Sequence, residues 1–161
     1  MSTQPNHNDQ PIILPRGAGR RIGIVAARWH DDIVTTLLDG AVETLHQCGV
    51  LDSDLTIARC PGTYEIPVIA SNMISTGKCD AVITLGVVVR GETAHFDYVA
   101  GPVAYGLQDL AISSGVPCIF GVLTTENLDQ AWARAGGEHG HKGRESALAA
   151  LETLEVLNAI T

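Results

Sequence analysis

Aromatic side chains are scarce in this sequence: two Trp, three Tyr and two Phe in 161 residues. Small aliphatic residues must therefore fill any core, and an aromatic outside the packing pattern stands out. Positive charge is scarce as well. Ten Lys and Arg against eighteen Asp and Glu give a formal net charge of −8, so the surface as a whole repels nucleic acid and anionic membranes, and any phosphate site has to be local. The four cysteines, Cys48, Cys60, Cys79 and Cys118, include no C-x-x-C pair. Their spacing argues against a zinc site, supplies no disulfide framework and suits a reduced cytosol. No apolar run approaches the roughly 20 residues of a membrane span, and no leader pattern precedes the first apolar segment, so the expected location is the cytoplasm. Nucleotide and esterase fingerprints are missing too: there is no G-x-G-x-x-G, Thr76-Gly77-Lys78 lacks the upstream glycine of a P-loop, and no G-x-S-x-G occurs.

What is present is a regular alternation of short apolar runs and helical periodicity. Residues 1–10 are polar and aperiodic and are expected to form a mobile tail, with residues 11–161 as one domain. Ile12, Ile13 and Leu14, between Pro11 and Pro15, suggest an edge strand or a strand shared with a neighbouring subunit. Ile22 to Ala27 is a first buried strand. Asp31 and Asp32 then open a helix whose face is Ile33, Val34, Leu37, Leu38, Ala41, Val42 and Leu45. Leu55 to Ala58 is a second strand, followed by a helix from about Glu65 to Thr76. A third strand starts at Ala81 and breaks at Gly91, and the helix after it carries Phe96, Val99, Val103, Leu107, Leu110 and Ala111 at helical spacing and ends near Gly115. Pro117 to Leu123 is a fourth strand, after which Thr124-Thr125-Glu126-Asn127 caps a helix running through Ala135. A glycine-rich break, Gly136 to His141, precedes a last helix from about Gly143 to Asn158. Strand and helix repeated in this way predict a three-layer α-β-α domain, flavodoxin-like, with a doubly wound four-stranded parallel sheet.

Ligands of such sheets bind beyond the carboxyl ends of the strands. The turns expected there carry Arg28-Trp29-His30, Pro61-Gly62-Thr63-Tyr64-Glu65, Arg90-Gly91-Glu92-Thr93-Ala94-His95, and Phe120 with the Thr124 to Asn127 turn. Two of the few aromatics, Trp29 and Tyr64, thus fall on the ligand edge, where a flat heterocycle could stack. An imidazole can give and take a proton near neutral pH, and His95 sits in a turn with a hydroxyl and a carboxylate. The ordinary roles of the other residues are structural: Phe120 as strand core, Glu65 as a helix N-terminal charge, Arg134 and Lys142 as solvated helix charges. His139 and His141 have the chemistry of metal ligands but no third partner. The residues by themselves point to acid–base chemistry on a phosphorylated small molecule and a planar ring, or to a flavin carrier of the same fold.

Five segments resemble the lumazine synthase family in order and spacing: I-G-I-V-A-A-R-W-H, P-G-T-Y-E-I-P, T-L-G-V-V-V-R-G-E-T-A-H-F-D-Y-V, F-G-V-L-T-T-E-N and A-R-A-G-G-E-H-G-H-K-G. The resemblance implies an enzyme of riboflavin biosynthesis, a transferase without metal or redox cofactor, that condenses 5-amino-6-(D-ribitylamino)uracil with 3,4-dihydroxy-2-butanone 4-phosphate. Carried over by position, Trp29, where the family more often has phenylalanine, stacks on the pyrimidine. Thr63, Tyr64 and Glu65 hold the ribityl chain, and Val87, Val88 and Val89 present backbone groups to the uracil. Glu92, Thr93 and Arg134 bind the phosphate, His95 donates the proton, Phe120 covers the ring, and Glu145 is the carboxylate that can pair with the histidine. The family's pocket lies between subunits, so Phe120, Arg134 and Lys142 are expected from the adjacent chain. The resemblance also implies a homopentamer or a sixty-subunit icosahedral capsid, and association with riboflavin synthase.

Overall fold

Strand and helix alternate through residues 12–161, which the computed structural model describes; the tail expected over residues 1–10 lies outside them. The elements are β1 (Ile22–Ala27), α1 (Asp31–Gln47), β2 (Leu55–Cys60), α2 (Ile66–Ser75), β3 (Ala81–Val89), α3 (His95–Ser114), β4 (Cys118–Thr125), α4 (Leu128–Ala133), β5 (Ala135–Gly137), β6 (Gly140–His141) and α5 (Lys142–Ile160). β1 to β4 form one parallel sheet in the order β2-β1-β3-β4, with Ile24 of β1 facing Ile57 of β2 and Ile83 of β3. This is the doubly wound, flavodoxin-like arrangement expected from the alternation.

Period-two alternation along the strands divides the core between the two faces of the sheet. Ile22, Ile24 and Ala26 of β1, with Ile83, Leu85 and Val87 of β3, pack against Ile33, Leu37, Ala41 and Leu45 of α1 and Ala147, Leu151 and Leu154 of α5. The intervening residues Val25, Ala27, Val82 and Val88 pack against Ile66 and Ala70 of α2 and Val103 and Leu107 of α3. Few of these side chains are large. Close approach of backbones makes up the difference: a Cβ on Gly143 would collide with the Leu37 carbonyl, so glycine lets α5 lie directly on α1.

Several boundaries differ from the expectation. Ile12 and Ile13 are 87% and 88% exposed and lie in no strand, so among the described residues the sheet ends at β2. β2 and β4 run two residues further than the apolar runs suggested, to Cys60 and Thr125, because their ladders with Ala27 of β1 and Val89 of β3 continue that far. Thr63–Glu65 is a separate 3-10 turn, and α2 starts at Ile66 with Pro67 in its first turn. α4 stops at Ala133, and the glycine-rich break is the antiparallel hairpin β5–β6.

Candidate active site

Strand order reverses between β1 and β3, and beyond the carboxyl ends of these two strands lies an open cleft of about 820 Å³. It is lined by Trp29 and His30 from the turn after β1, by Gly62, Thr63, Tyr64 and Glu65 after β2, by Val87, Val88 and Val89 of β3, and by the start of α3. The sheet builds this convergence. At the end of β3, Val87 and Val88 are still buried, one in each face of the core, and Val89 is half-exposed. The 3-10 turn is braced by its own carboxylate: Gly62 N–H donates to Glu65 Oε2 at 2.9 Å and Glu65 N–H to the Gly62 carbonyl at 3.3 Å. Thr63 is buried under the turn and Tyr64 projects outward. At its foot the Cys60 thiol donates to the Gly62 carbonyl at 3.3 Å, and burial, followed by the nearby Glu65 charge, pushes it above its ordinary range.

His95 is the first residue of α3, and its N–H donates to Thr93 Oγ1 at 3.3 Å. Tyr98, Val99 and Pro102 line the cleft beside it. These four stand at i, i+3, i+4 and i+7, one helical face; that spacing was available in the sequence, where Val99 reads only as a packing residue. Glu92 and Thr93 are exposed in the preceding turn. The turn is fixed by Arg90, whose N–H donates to the Thr125 carbonyl at 2.9 Å. The Arg90 guanidinium lies 4.1 Å from the Phe96 ring centroid, 3.2 Å from Glu126 and 3.4 Å from Asp97.

The remaining candidates lie elsewhere in the chain. Arg134 lines a second cleft of about 510 Å³ with Thr124, Asn127 and His139. Phe120 is half-buried on β4, beside Thr84 of β3, and packs with the α2–α3 side of the core. Lys142 opens α5. Its N–H donates to the Arg134 carbonyl at 2.7 Å and its Nζ stands 3.8 Å from Glu145, which therefore meets Lys142 and not His95 within one chain. His139 and His141 do not converge on a common point. His139 faces Glu138 at 3.6 Å, whereas His141 seats its ring against Gly40 of α1 and caps α5, its Nδ1 accepting from Arg144 N–H at 3.4 Å. Burial, reinforced by the Arg144 charge, holds the His141 imidazole below its ordinary value.

A doubly wound sheet whose switch-point cleft is lined by Trp29, Tyr64, Tyr98 and two histidines, His30 and His95, has the make-up of an α/β enzyme. The family model for 6,7-dimethyl-8-ribityllumazine synthase matches residues 19–158, nearly the whole chain. The chain belongs to that family, a transferase family of riboflavin biosynthesis.

Proposed function

We propose that the protein condenses 5-amino-6-(D-ribitylamino)uracil with 3,4-dihydroxy-2-butanone 4-phosphate, giving 6,7-dimethyl-8-ribityllumazine, phosphate and water. The observation that carries this reading is the single cleft that gathers Trp29, Thr63, Tyr64, Glu65, Val87, Val88, Val89 and His95. Trp29 supplies a flat face for the pyrimidine, the ends of β3 offer backbone groups to its edge, and the Thr63–Glu65 turn offers hydroxyls and a carboxylate to the ribityl chain. The aromatic amine attacks the ketone and water leaves as the imine forms. Phosphate is then eliminated, and the ribitylamino nitrogen closes the ring with loss of a second water. Each step moves a proton, and His95 at the mouth of the cleft is the group assigned to carry it. Much of the remaining rate comes from holding two reactive molecules together.

The phosphate falls to Arg134, with the Glu92–Thr93 turn contributing its backbone. Arg134 and His95 line different clefts of one chain, which favours a site completed by Phe120, Arg134 and Lys142 of an adjacent subunit, with Glu145 close enough there to pair with His95. The unpaired edge of β2 and the exposed Ile12–Leu14 segment favour the same assembly, a homopentamer or a sixty-subunit shell that could also hold riboflavin synthase. A single domain over residues 11–161 and a cytoplasmic location complete the reading; among the described residues no helix is long and apolar enough to cross a membrane. The test is a two-substrate assay on the purified protein, following lumazine fluorescence and phosphate release, with light scattering for the mass of the assembly. Absence of lumazine with both substrates present would refute the reaction, and a monomeric mass in an active preparation would refute the shared site.

A further inference from the structure

The turn that carries Trp29 is held by β2 more than by its own residues. Arg28 N–H donates to the Cys60 carbonyl at 2.9 Å. One residue earlier on β2, Arg59 lies opposite Ala26 in the parallel register, and its guanidinium reaches over the end of β1. Nη2 donates to the Ala27 carbonyl at 3.2 Å and to Oδ1 of Asp31, and Nη1 stands 3.5 Å from Thr35 Oγ1. Ala27 is the last residue of β1 and Asp31 the first of α1, so one guanidinium ties both ends of the Arg28–His30 turn.

The turn needs such a tie. His30 adopts φ 57° and ψ 52°, a left-handed conformation that non-glycine residues seldom hold without surrounding support. Trp29 is 70% exposed, and its ring rests against Gly62 with most of its surface open. The planar, forked guanidinium suits two acceptors at once, which a lysine ammonium on a flexible stem does less well. We propose that Arg59 is a positioning residue for the pyrimidine half of the site, clamping both ends of the Trp29 turn so that the indole stays over the cleft. Arg59 does not line the cleft itself. The inference rests on the reading of Trp29 as the stacking face.

The test compares Arg59→Gln with the parent protein in a Trp132→Phe background, where Trp29 is the remaining tryptophan. Time-resolved fluorescence anisotropy reads the motion of the indole without substrate. Steady-state kinetics with the aminouracil and the butanone phosphate then reads its use. The clamp predicts faster depolarisation of Trp29 and a KM for the aminouracil raised roughly tenfold, a fraction of what stacking a base on an aromatic is worth. KM for the butanone phosphate and kcat should stay within error. Arg59→Lys should fall between the two, and Asp31→Asn added to Arg59→Gln should produce no further rise. Unchanged anisotropy would overturn the proposal, as would equal deterioration of both KM values and kcat, the mark of general structural loss. Were the parent protein to form no lumazine, the functional reading would fail while the anisotropy comparison still decided the clamp.

Discussion

Alanine at Gly86 should separate the packing of the site from that of the fold. The added Cβ would lie 2.8 Å from Thr63 Oγ1, 3.4 Å from Ile66 Cδ1 and 3.6 Å from Ala27 Cβ. The last two are tolerable contacts; the first is about 0.6 Å too short, measured against the 3.4 Å at which ordinary contact begins. Thr63 is β-branched, and its hydroxyl sits on Cβ with restricted rotamers, so relief requires the Thr63–Glu65 turn to rise from the sheet. Overpacking of this kind costs about 1–3 kcal/mol. For a chain of this size that lowers Tm by roughly 4–8 °C at 2 kcal/mol, measured by calorimetry at fixed protein concentration because assembly also shifts Tm. The same lift moves Tyr64 and Glu65, so KM for the ribityl-bearing substrate should rise. Thr63→Ala removes the obstructing hydroxyl. The double variant should therefore regain about 1 kcal/mol relative to the sum of the single changes. Additive costs, or a Gly86→Ala protein as stable as the parent, would refute the argument.

Three further outcomes are expected. His95→Ala should lower kcat by about 10²-fold, at or below the bottom of the range for general acid–base catalysis, because the two substrates are reactive on their own; near-parental turnover in stopped-flow assays would remove His95 from its role. Arg134→Ala should raise KM for the butanone phosphate roughly tenfold or more, the worth of a charge-assisted hydrogen bond, and leave that for the aminouracil unchanged; the opposite pattern would reassign Arg134. The His141 imidazole, depressed by burial and by Arg144 and opposed by Glu145 and Glu43, binds a proton less readily when folded than at its ordinary value of 6.5. Its stabilising contribution is therefore full above pH 6.5 and is lost as pH falls through 6.5 towards the lower folded value. His141→Asn keeps a capping side chain and should flatten Tm against pH in that window, and parallel curves for the two proteins would contradict this.

The centre of the sheet was legible in the sequence because β1 and β3 are buried on both faces, which writes continuous apolar runs, whereas the largely exposed edge strand β2 shows only the short run Leu55–Ala58. Most of the cleft was legible for a related reason. Trp29 and Tyr64 interrupt a chain otherwise poor in aromatics, and both fall just after strands. The hairpin β5–β6 was not, since strands of three and two residues around Gly136 and Gly140, with φ 98° and 93°, carry no periodicity. Pairing there depends on His141 finding its seat on Gly40, a contact between residues a hundred positions apart. The fate of Ile12–Leu14 was also beyond local reading, because an apolar run next to prolines does not specify whether its partner lies in the same chain.

Charge placement ties these observations together. With only ten Lys and Arg, the chain brings arginines to the ends of its strands. Arg59 holds the turn after β1 and Arg90 the turn after β3, while Arg21 pairs with Asp80 at the opposite edge of the sheet. In the last pair burial alone would raise the Asp80 carboxyl, but the hydrogen bonds from Arg21 overcome it and hold the carboxyl below its ordinary range. Exposed ion pairs of this kind add little to global stability, so their value has to be sought in geometry. A parallel sheet fixes its strand ends to within a hydrogen bond of one another, yet leaves each following turn free to choose a direction. An arginine that bridges the turn to the neighbouring strand end restricts that freedom, from the neighbour's side at Arg59 and from the turn's own side at Arg90. In the proposed site the direction of the Trp29 and Glu92–Thr93 turns sets where ligand groups are met, so on that reading replacing Arg59 or Arg90 should disturb binding before it disturbs the fold.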